Sequence, residues 1–195
     1  GLAAEAILLE IAKKHGVQVP NILYSLKTDD NIGDGFLMSW CEGETLGAKI
    51  AKSERFETIR PCLAWQCGEI LAKIHSTDVS KTGLRKILKE ISPSDYVKVT
   101  WEDYKRYKTP QPMIDYAAQW LLKNLPEPEV PSLVHNDFRN GNLIVCEKSG
   151  IVAVLDWEVA HIGDPNRDLG WLCTPSWRFG NHALPVGGFG EIEDL

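Results

Sequence analysis

Apolar side chains recur at helical spacing near the start of the chain, at Leu2, Ala6, Leu9 and Ala12 with Leu8 and Ile11 beside them, and Gly16 followed by Pro20 ends the run. This pattern predicts a helix of about four turns. Val17 to Leu26 and Phe36 to Trp40 predict two strands, joined by the polar, glycine-containing turn Thr28 to Gly35. From Ser53 to Asp78, Phe56, Ile59, Leu63, Cys67, Ile70, Leu71 and Ile74 fall at steps of three and four. They predict one amphipathic helix, or two in series, that Pro61 starts or kinks, and Asp78 is expected to cap the segment after it. A further helix is predicted over Ile114 to Leu125, with Ile114, Ala117, Ala118, Leu121, Leu122 and Leu125 on its inner face. Pro126 and Pro128 end it and open a short Pro-Glu-Pro-Glu linker.

Beyond the linker the pattern changes to short apolar runs, Ser132 to Val134, Leu143 to Val145 and Ile151 to Leu155, with the polar loop His135 to Asn142 between the first two and Asp156 closing the third. Asp137 and Asn142 are five residues apart on that loop, and Asp156 follows Asn142 by fourteen. Moving a phosphoryl group from ATP to an alcohol needs a carboxylate that orients the hydroxyl and accepts its proton, plus hard oxygen ligands for the magnesium on the phosphates. Asp137 suits the first role. Asn142 and Asp156 suit the second, because an amide oxygen and one carboxylate hold the cation without cancelling all the charge it lends to the phosphates. His135 reads as an organiser of the loop. Turn chemistry by itself accounts for Asn140-Gly141, but not for a carboxylate capping the next buried run.

Composition narrows the classes. The chain carries a net charge of −6 with a pI near 5.4, so a concentrated basic face for nucleic acid is not expected. No run of apolar residues is long enough to span a bilayer. The five cysteines form no CxxC pair and are odd in number, which argues against a zinc site and a disulfide framework and for a reducing cytoplasm. With 195 residues, 44% of them hydrophobic, the chain can bury a core the size of one large lobe plus part of another. Lys81 to Lys108 mixes basic residues (Lys81, Arg85, Lys86, Lys89) with aromatic ones (Tyr96, Trp101, Tyr104, Tyr107) and reads as a solvated, half-packed helix pair, or as an insertion shaping an acceptor pocket.

His135-Asn136-Asp137, Asn142, Asp156-Trp157-Glu158 and Gly163-Asp164-Pro165 with Asp168-Leu169 resemble the aminoglycoside phosphotransferase and choline kinase group of protein-kinase-like enzymes. Within that group the chain is most similar to phosphotransferases related to the kinase region of acyl-CoA dehydrogenase fusion proteins. The resemblance runs through most of the chain and is most specific over residues 133 to 172. It implies an α+β, protein-kinase-like two-lobed fold, in which residues 1–43 are a remnant of the nucleotide-binding N-terminal lobe plus hinge and 44–195 are a mostly helical C-terminal catalytic and substrate lobe. It further implies an ATP- and Mg2+-dependent kinase acting on a hydroxyl of a small molecule, with Asp137 as base and Asn142 and Asp156 as magnesium ligands.

By the same resemblance Glu5, counted back from Val17-Gln18-Val19-Pro20, is the helix glutamate that pairs with a phosphate-binding lysine. No glycine-rich loop or strand lysine precedes it, so the chain is expected to be a fragment. Ser39, Trp40 and Cys41 match the segment linking the lobes, where backbone groups bond the adenine edge; the family more often has an acidic residue where Ser39 stands. Two other classes fit part of the pattern: a non-catalytic binding or scaffold module, for want of that lysine, and a metal-dependent phosphohydrolase sharing the Asp and Asn ligands.

Asp164-Pro165 is a helix start, and the resemblance makes Asp168, one turn on, a candidate support for the catalytic-loop backbone, the alternative being a first-turn partner of the helix dipole. Glu158 suits a second metal, the acceptor site or the surface. His75 reads as a partly buried structural histidine. Trp171, Trp177, Arg178, Phe179 and Gly187 to Gly190 are either an acceptor-side loop or an irregular segment packed by aromatics. A helical pattern resumes at Glu191 to Leu195.

Overall fold

The computed structural model describes residues 1–125 and 130–195. Helix α1 (Leu2–Lys14) buries Ala6, Leu8, Leu9 and Ala12, while Leu2 stays exposed. Gly16 takes the left-handed conformation (φ 79°) just past the helix, and Val17 N–H returns to the Ala12 carbonyl at 3.0 Å. That return consumes Val17, and Pro20 offers no ladder donor, so the strand expected over Val17 to Leu26 shortens to β1 (Ile22–Ser25). It pairs antiparallel with β2 (Phe36–Met38). The second strand also ends early, because Ser39 closes the hairpin: its N–H donates to the Asn21 carbonyl and its hydroxyl accepts from Asn21 N–H. The connection Thr28 to Gly35 is a turn that includes a 3-10 segment, Thr28–Asp30.

From the hairpin the chain crosses to the larger lobe at Gly43. This residue is at φ 157°, and a Cβ there would lie 2.9 Å from the Val145 carbonyl oxygen. Glu44 pairs with Val145 by reciprocal backbone bonds of 2.9 Å, which accounts for the glycine before it. Helix α2 (Gly47–Lys52) comes next. The long periodic segment resolves into a 3-10 turn, Glu54–Phe56, and helix α3 (Arg60–His75), with Pro61 in its first turn. Its Leu63, Ala64, Cys67, Ile70, Leu71 and Ile74 form the spine of the core with Phe56, Leu133, Phe138 and Trp157. Asp78 caps the next turn, accepting from Ser80 and Lys81 N–H.

Lys81 to Lys108 contains α4 (Pro93–Arg106), which packs against α5 (Pro112–Asn124). Asp115 of α5 accepts from Trp101 Nε1 at 2.7 Å and from Tyr104 Oη at 3.3 Å, tying the pair together. The inner face expected for α5 is largely not inner: Ala118 is buried, but Ile114 and Leu121 are exposed. A two-helix pair offers each helix only one covered side, so the rest of the apolar stripe faces outward. The expected proline stop and linker, Pro126 to Glu129, lie outside the described residues.

Strands β3 (Ser132–Val134), β4 (Leu143–Cys146), β5 (Gly150–Val154) and β6 (His161–Gly163) form two antiparallel pairs, β3 with β6 and β4 with β5. Helix α6 (Asn166–Leu172) begins one residue later than Asp164-Pro165 suggested, with Asp164 Oδ1 accepting from Asn166 N–H at 3.0 Å. Residues 186–190 form a buried turn, with Gly190 against Ala64, and the chain ends in a 3-10 turn, Ile192–Asp194. No helix of the described residues is long and apolar enough to cross a membrane.

Candidate active site

The loop His135 to Asn142 joins β3 to β4, and because those strands pair with different partners it spans the seam between the two small sheets. It is built on a buried carboxylate. Asp168 of α6, fully buried, accepts from His135 N–H at 2.9 Å and from Asn136 N–H at 2.7 Å, and His75 Nε2 lies 3.0 Å from the oxygen that takes the His135 N–H. A helix side chain thus satisfies two loop donors that no strand can reach. His135 is buried beneath the loop. Its Nδ1 accepts from Asp137 N–H at 3.2 Å, which assigns the proton to Nε2, donated to the Leu155 carbonyl at 3.1 Å. His135 therefore links the loop to the end of β5 and does not face the opening.

Burial pushes the His135 imidazole below its ordinary 6.5, against the upward pull of the Asp168 carboxylate. A depressed folded-state pKa on a base means that the native protein resists a proton the unfolded chain accepts. Stability is therefore complete above about pH 6.5 and is lost as the pH falls below it. The denaturation midpoint should be lower at about pH 5.5 than at about pH 7.5, and His135→Gln should flatten that slope. An unchanged slope in the variant would remove His135 as its source.

Asp137 is partly open, its side chain 21% exposed. Three donors hold its carboxylate: Trp171 Nε1 at 2.6 Å, Asn142 Nδ2 at 2.7 Å and Arg139 Nε at 3.1 and 3.2 Å. With both Asn142 amide hydrogens on Asp137, through its carboxylate and its carbonyl at 3.0 Å, the Asn142 Oδ1 is turned away from Asp137. Register then brings in Asp156. Leu143 of β4 faces Val154 of β5, and Leu155 N–H donates to the Asn142 carbonyl at 2.8 Å, so Asp156 is one residue from a direct backbone partner of Asn142. Asp156 and Asn136 both take positive φ, 66° and 70°, a conformation that non-glycine residues adopt at some cost and that gathers at functional sites.

Asp156 is exposed, and the Asn142 Oδ1 accepts no hydrogen bond from the described residues. Among the described residues no group of three or more His, Cys, Asp or Glu is placed to hold a metal ion.

Glu5 comes to the same segment from α1. It lies with Trp157 and Glu158 around one small cavity, and burial raises its carboxyl above the ordinary 4.5, opposed by the Trp157 N–H and reinforced by Asp156 and Glu158. The linking residues are less gathered. Ser39 is taken up in closing the hairpin, Cys41 is half-buried and Trp40 is 92% exposed. Glu158 is exposed and lines a cavity with Asn136, His161 and Tyr96. A neighbouring cavity of about 380 Å³ runs past His161 and Arg167 to Trp171, the residue that touches Asp137.

Arg139, Asn140 and Trp171 belong to this construction, and sequence reasoning gave the first two no role and left the third undecided. Asn140 is buried and donates to the Gly187 carbonyl at 2.7 Å and the Gly47 carbonyl at 3.2 Å, which explains the packed glycine turn. Its neighbour Arg139 lies two residues past Asp137, and Trp171 three past Asp168. Those spacings, on one loop and on one face of a helix, were the available signals.

A model of the phosphotransferase enzyme family matches residues 1–193. The chain belongs to the phosphotransferase enzyme family. Proteins similar to it include acyl-CoA dehydrogenase family member 10 of Mus musculus, 34% identical over 169 residues, which cover 81% of this chain and 15% of that protein. Acyl-CoA dehydrogenase family member 11 of Rattus norvegicus is 33% identical over 139 residues, 65% of this chain and 18% of its own length. The chain thus spans less than a fifth of these two relatives. Among solved structures, a Ralstonia eutropha protein assigned to the aminoglycoside phosphotransferases superposes with a TM-score of 0.78 at 22% identity, covering 96% of this chain and 61% of that one. The GDP and kanamycin complex of an APH(2") enzyme gives 0.69 at 19% identity, covering 87% and 60%. The fold is that of these kinase-like phosphotransferases, as the α+β reading anticipated.

Proposed function

We propose that this phosphotransferase-family chain forms the catalytic part of an ATP- and magnesium-dependent kinase that transfers the γ-phosphoryl group to a hydroxyl of a small molecule. Asp137 is the base, Asn142 and Asp156 are the magnesium ligands, and His135 supports the loop that carries them. The observation that supports this most is the treatment of Asp137: a partly open carboxylate fixed by Trp171, Asn142 and Arg139 on a loop that Asp168 holds from below. A surface turn would not gather three donors on one carboxylate.

In this reading the acceptor hydroxyl approaches from the Trp171 side and donates to Asp137, which accepts its proton as the oxygen bonds to phosphorus. Magnesium, when bound, supplies positive charge across the phosphate oxygens. The residues of this chain hold the base still, limit the rotamers of Asn142 and keep the loop's own donors satisfied, so orientation is built in before the acceptor arrives. Glu5 and the backbone of Ser39, Trp40 and Cys41 lie on the nucleotide side.

The test is product analysis on the intact protein that carries this chain. ATP, magnesium and a panel of alcohol-bearing metabolites should give a phosphorylated acceptor; phosphate released only to water would mean a hydrolase, and no turnover a binding module. Asp156→Asn should raise the magnesium needed for half-maximal rate by at least the roughly 10–100-fold that loss of an outer partner costs a metal site. A magnesium titration superimposing on that of the wild type would remove Asp156 as a ligand.

A further inference from the structure

We propose that Arg167 is a positioning residue that ties the catalytic loop to helix α4, so that the loop is set for transfer only while α4 is seated beside it; the proposal rests on the kinase reading of the same site. Arg167 stands in the first turn of α6, where a cation opposes the helix dipole, so its presence there needs another reason. Two sets of contacts supply one. Its Nε donates to the side-chain oxygen of Asn136, the residue before the proposed base, which is held at φ 70°. Asp168, next in the helix, accepts from Asn136 N–H at 2.7 Å, and the Val159 carbonyl accepts from Asn136 Nδ2 at 3.2 Å. The backbone and the side chain of Asn136 are thus held from adjacent residues of one helix, and surroundings that over-determine a residue in this way keep a costly conformation in place.

The planar face of the guanidinium is used at the same time. Its Cζ lies 3.8 Å from the centroid of the Tyr96 ring on α4 and 5.9 Å from that of Trp171, four residues along α6. Tyr96 in turn stacks on His161 of β6, with centroids 5.6 Å apart and planes at 29°. The order His161, Tyr96, Arg167, Trp171 therefore runs from β6 through α4 to the indole that donates to Asp137 at 2.6 Å. Burial holds the His161 imidazole below its ordinary 6.5, helped by the Arg167 charge and opposed by the Val159 carbonyl, so the stack carries one cation at neutral pH. Among the described residues α4 buries none of its own and packs mainly on α5, so this stack is a large part of what seats it. The chain just before α4 is pinned where Ile91 N–H donates to the Ile162 carbonyl at 2.9 Å. The cavity of about 380 Å³ is lined by Tyr96, Arg167 and Trp171, so an acceptor filling it lies against the stack. A chain of packed side chains with two arrangements, α4 seated or lifted, is the physical form that coupling between such a cavity and a base takes.

A merely structural Arg167 would steady its own helix and Asn136, and removing the ring from α4 would then loosen α4 alone. Amide hydrogen exchange on the intact protein that carries this chain separates the two and needs no acceptor. Tyr96→Ala should raise exchange by about 5- to 30-fold in α4 and also in residues 135–142, the factor that loss of a cation–π contact allows, although the ring contacts of Tyr96 are with His161 and Arg167 and not with that loop. Arg167→Ala should loosen the same two segments. Tyr96→Leu, which keeps most of the bulk and so guards against collapse of α4, should match alanine in the loop, and Tyr96→Phe, which keeps the ring, should restore wild-type exchange. In turnover with ATP, magnesium and the panel of alcohols, Tyr96→Leu and Arg167→Ala should lower kcat by about 10- to 100-fold and leave KM for ATP within about threefold, with Tyr96→Phe like the wild type. Loop exchange that rises in Arg167→Ala but keeps its wild-type value in Tyr96→Leu would show a local prop and overturn the proposal while sparing the kinase reading; so would a loosened loop with unchanged kcat. A wild-type protein that phosphorylates no acceptor would overturn both.

Discussion

Asp137→Ala is expected to lower turnover by about 10²- to 10⁴-fold, the range for losing a positioned general base, while the melting temperature stays within a few degrees of the parent. Stability is spared because Asp137 is partly exposed, so water can take up the donors it leaves behind, Trp171 Nε1, Asn142 Nδ2 and Arg139 Nε. Asp137→Asn is the sharper variant. The shape is nearly kept, but an amide offers one acceptor oxygen to three donors and turns its NH2 toward at least one of them. It should lose as much activity as alanine, because what the acceptor hydroxyl requires is a second lone-pair site facing outward. Rates are read with phosphorylated acceptor as product, and melting by calorimetry. A variant that turns over like the parent would take Asp137 out of the mechanism.

Much of this construction could be read along the chain, and the parts that could not share a cause. The spacing of Asp137, Asn142 and Asp156 was legible because those residues flank short apolar runs, and a continuous apolar run followed by Asx residues says where a strand stops. The family resemblance, carried by the same residues, extended that to the whole fold. What the chain did not announce was nonlocal. Ser132 to Val134 and Leu143 to Val145 look like two arms of one hairpin, yet β3 pairs with β6 and β4 with β5, because the loop between them is held off by Asp168 and cannot make a tight turn. Val17 to Val19 look like strand until the helix end claims the Val17 N–H. The apolar stripe of α5 looks like core by periodicity, but periodicity reports which side chains could be buried together and not whether anything covers them. Arg139 and Trp171 were opaque for a related reason: an arginine in a polar loop and a tryptophan in a short helix acquire a role only when both arrive at one carboxylate.

Asp168→Ala should cost about 3–6 kcal/mol of stability, two hydrogen bonds to a carboxylate at about 1.5–3 kcal/mol each, and with it a drop in melting temperature of roughly 6 °C or more for a chain of this size. Three groups are stranded at once. The His135 and Asn136 N–H groups lose their acceptor, and His75 loses the oxygen 3.0 Å from its Nε2. Because Asp168 is fully buried, water cannot replace it as it can Asp137. The expected contrast between the two carboxylates is thus one of kind: the proposed base can be removed without unfolding the chain, whereas Asp168 holds the backbone that presents it. Asp168→Asn is a finer probe, since an amide can accept from one loop N–H but must point its NH2 at the other or at His75, so it should recover only part of the loss. A double-mutant cycle with His75→Ala should show that the two changes do not add, because they share one contact. Asp168→Ala melting within about 2 °C of the parent would mean that the loop is held by something else, since even one stranded buried donor costs about 1–3 kcal/mol.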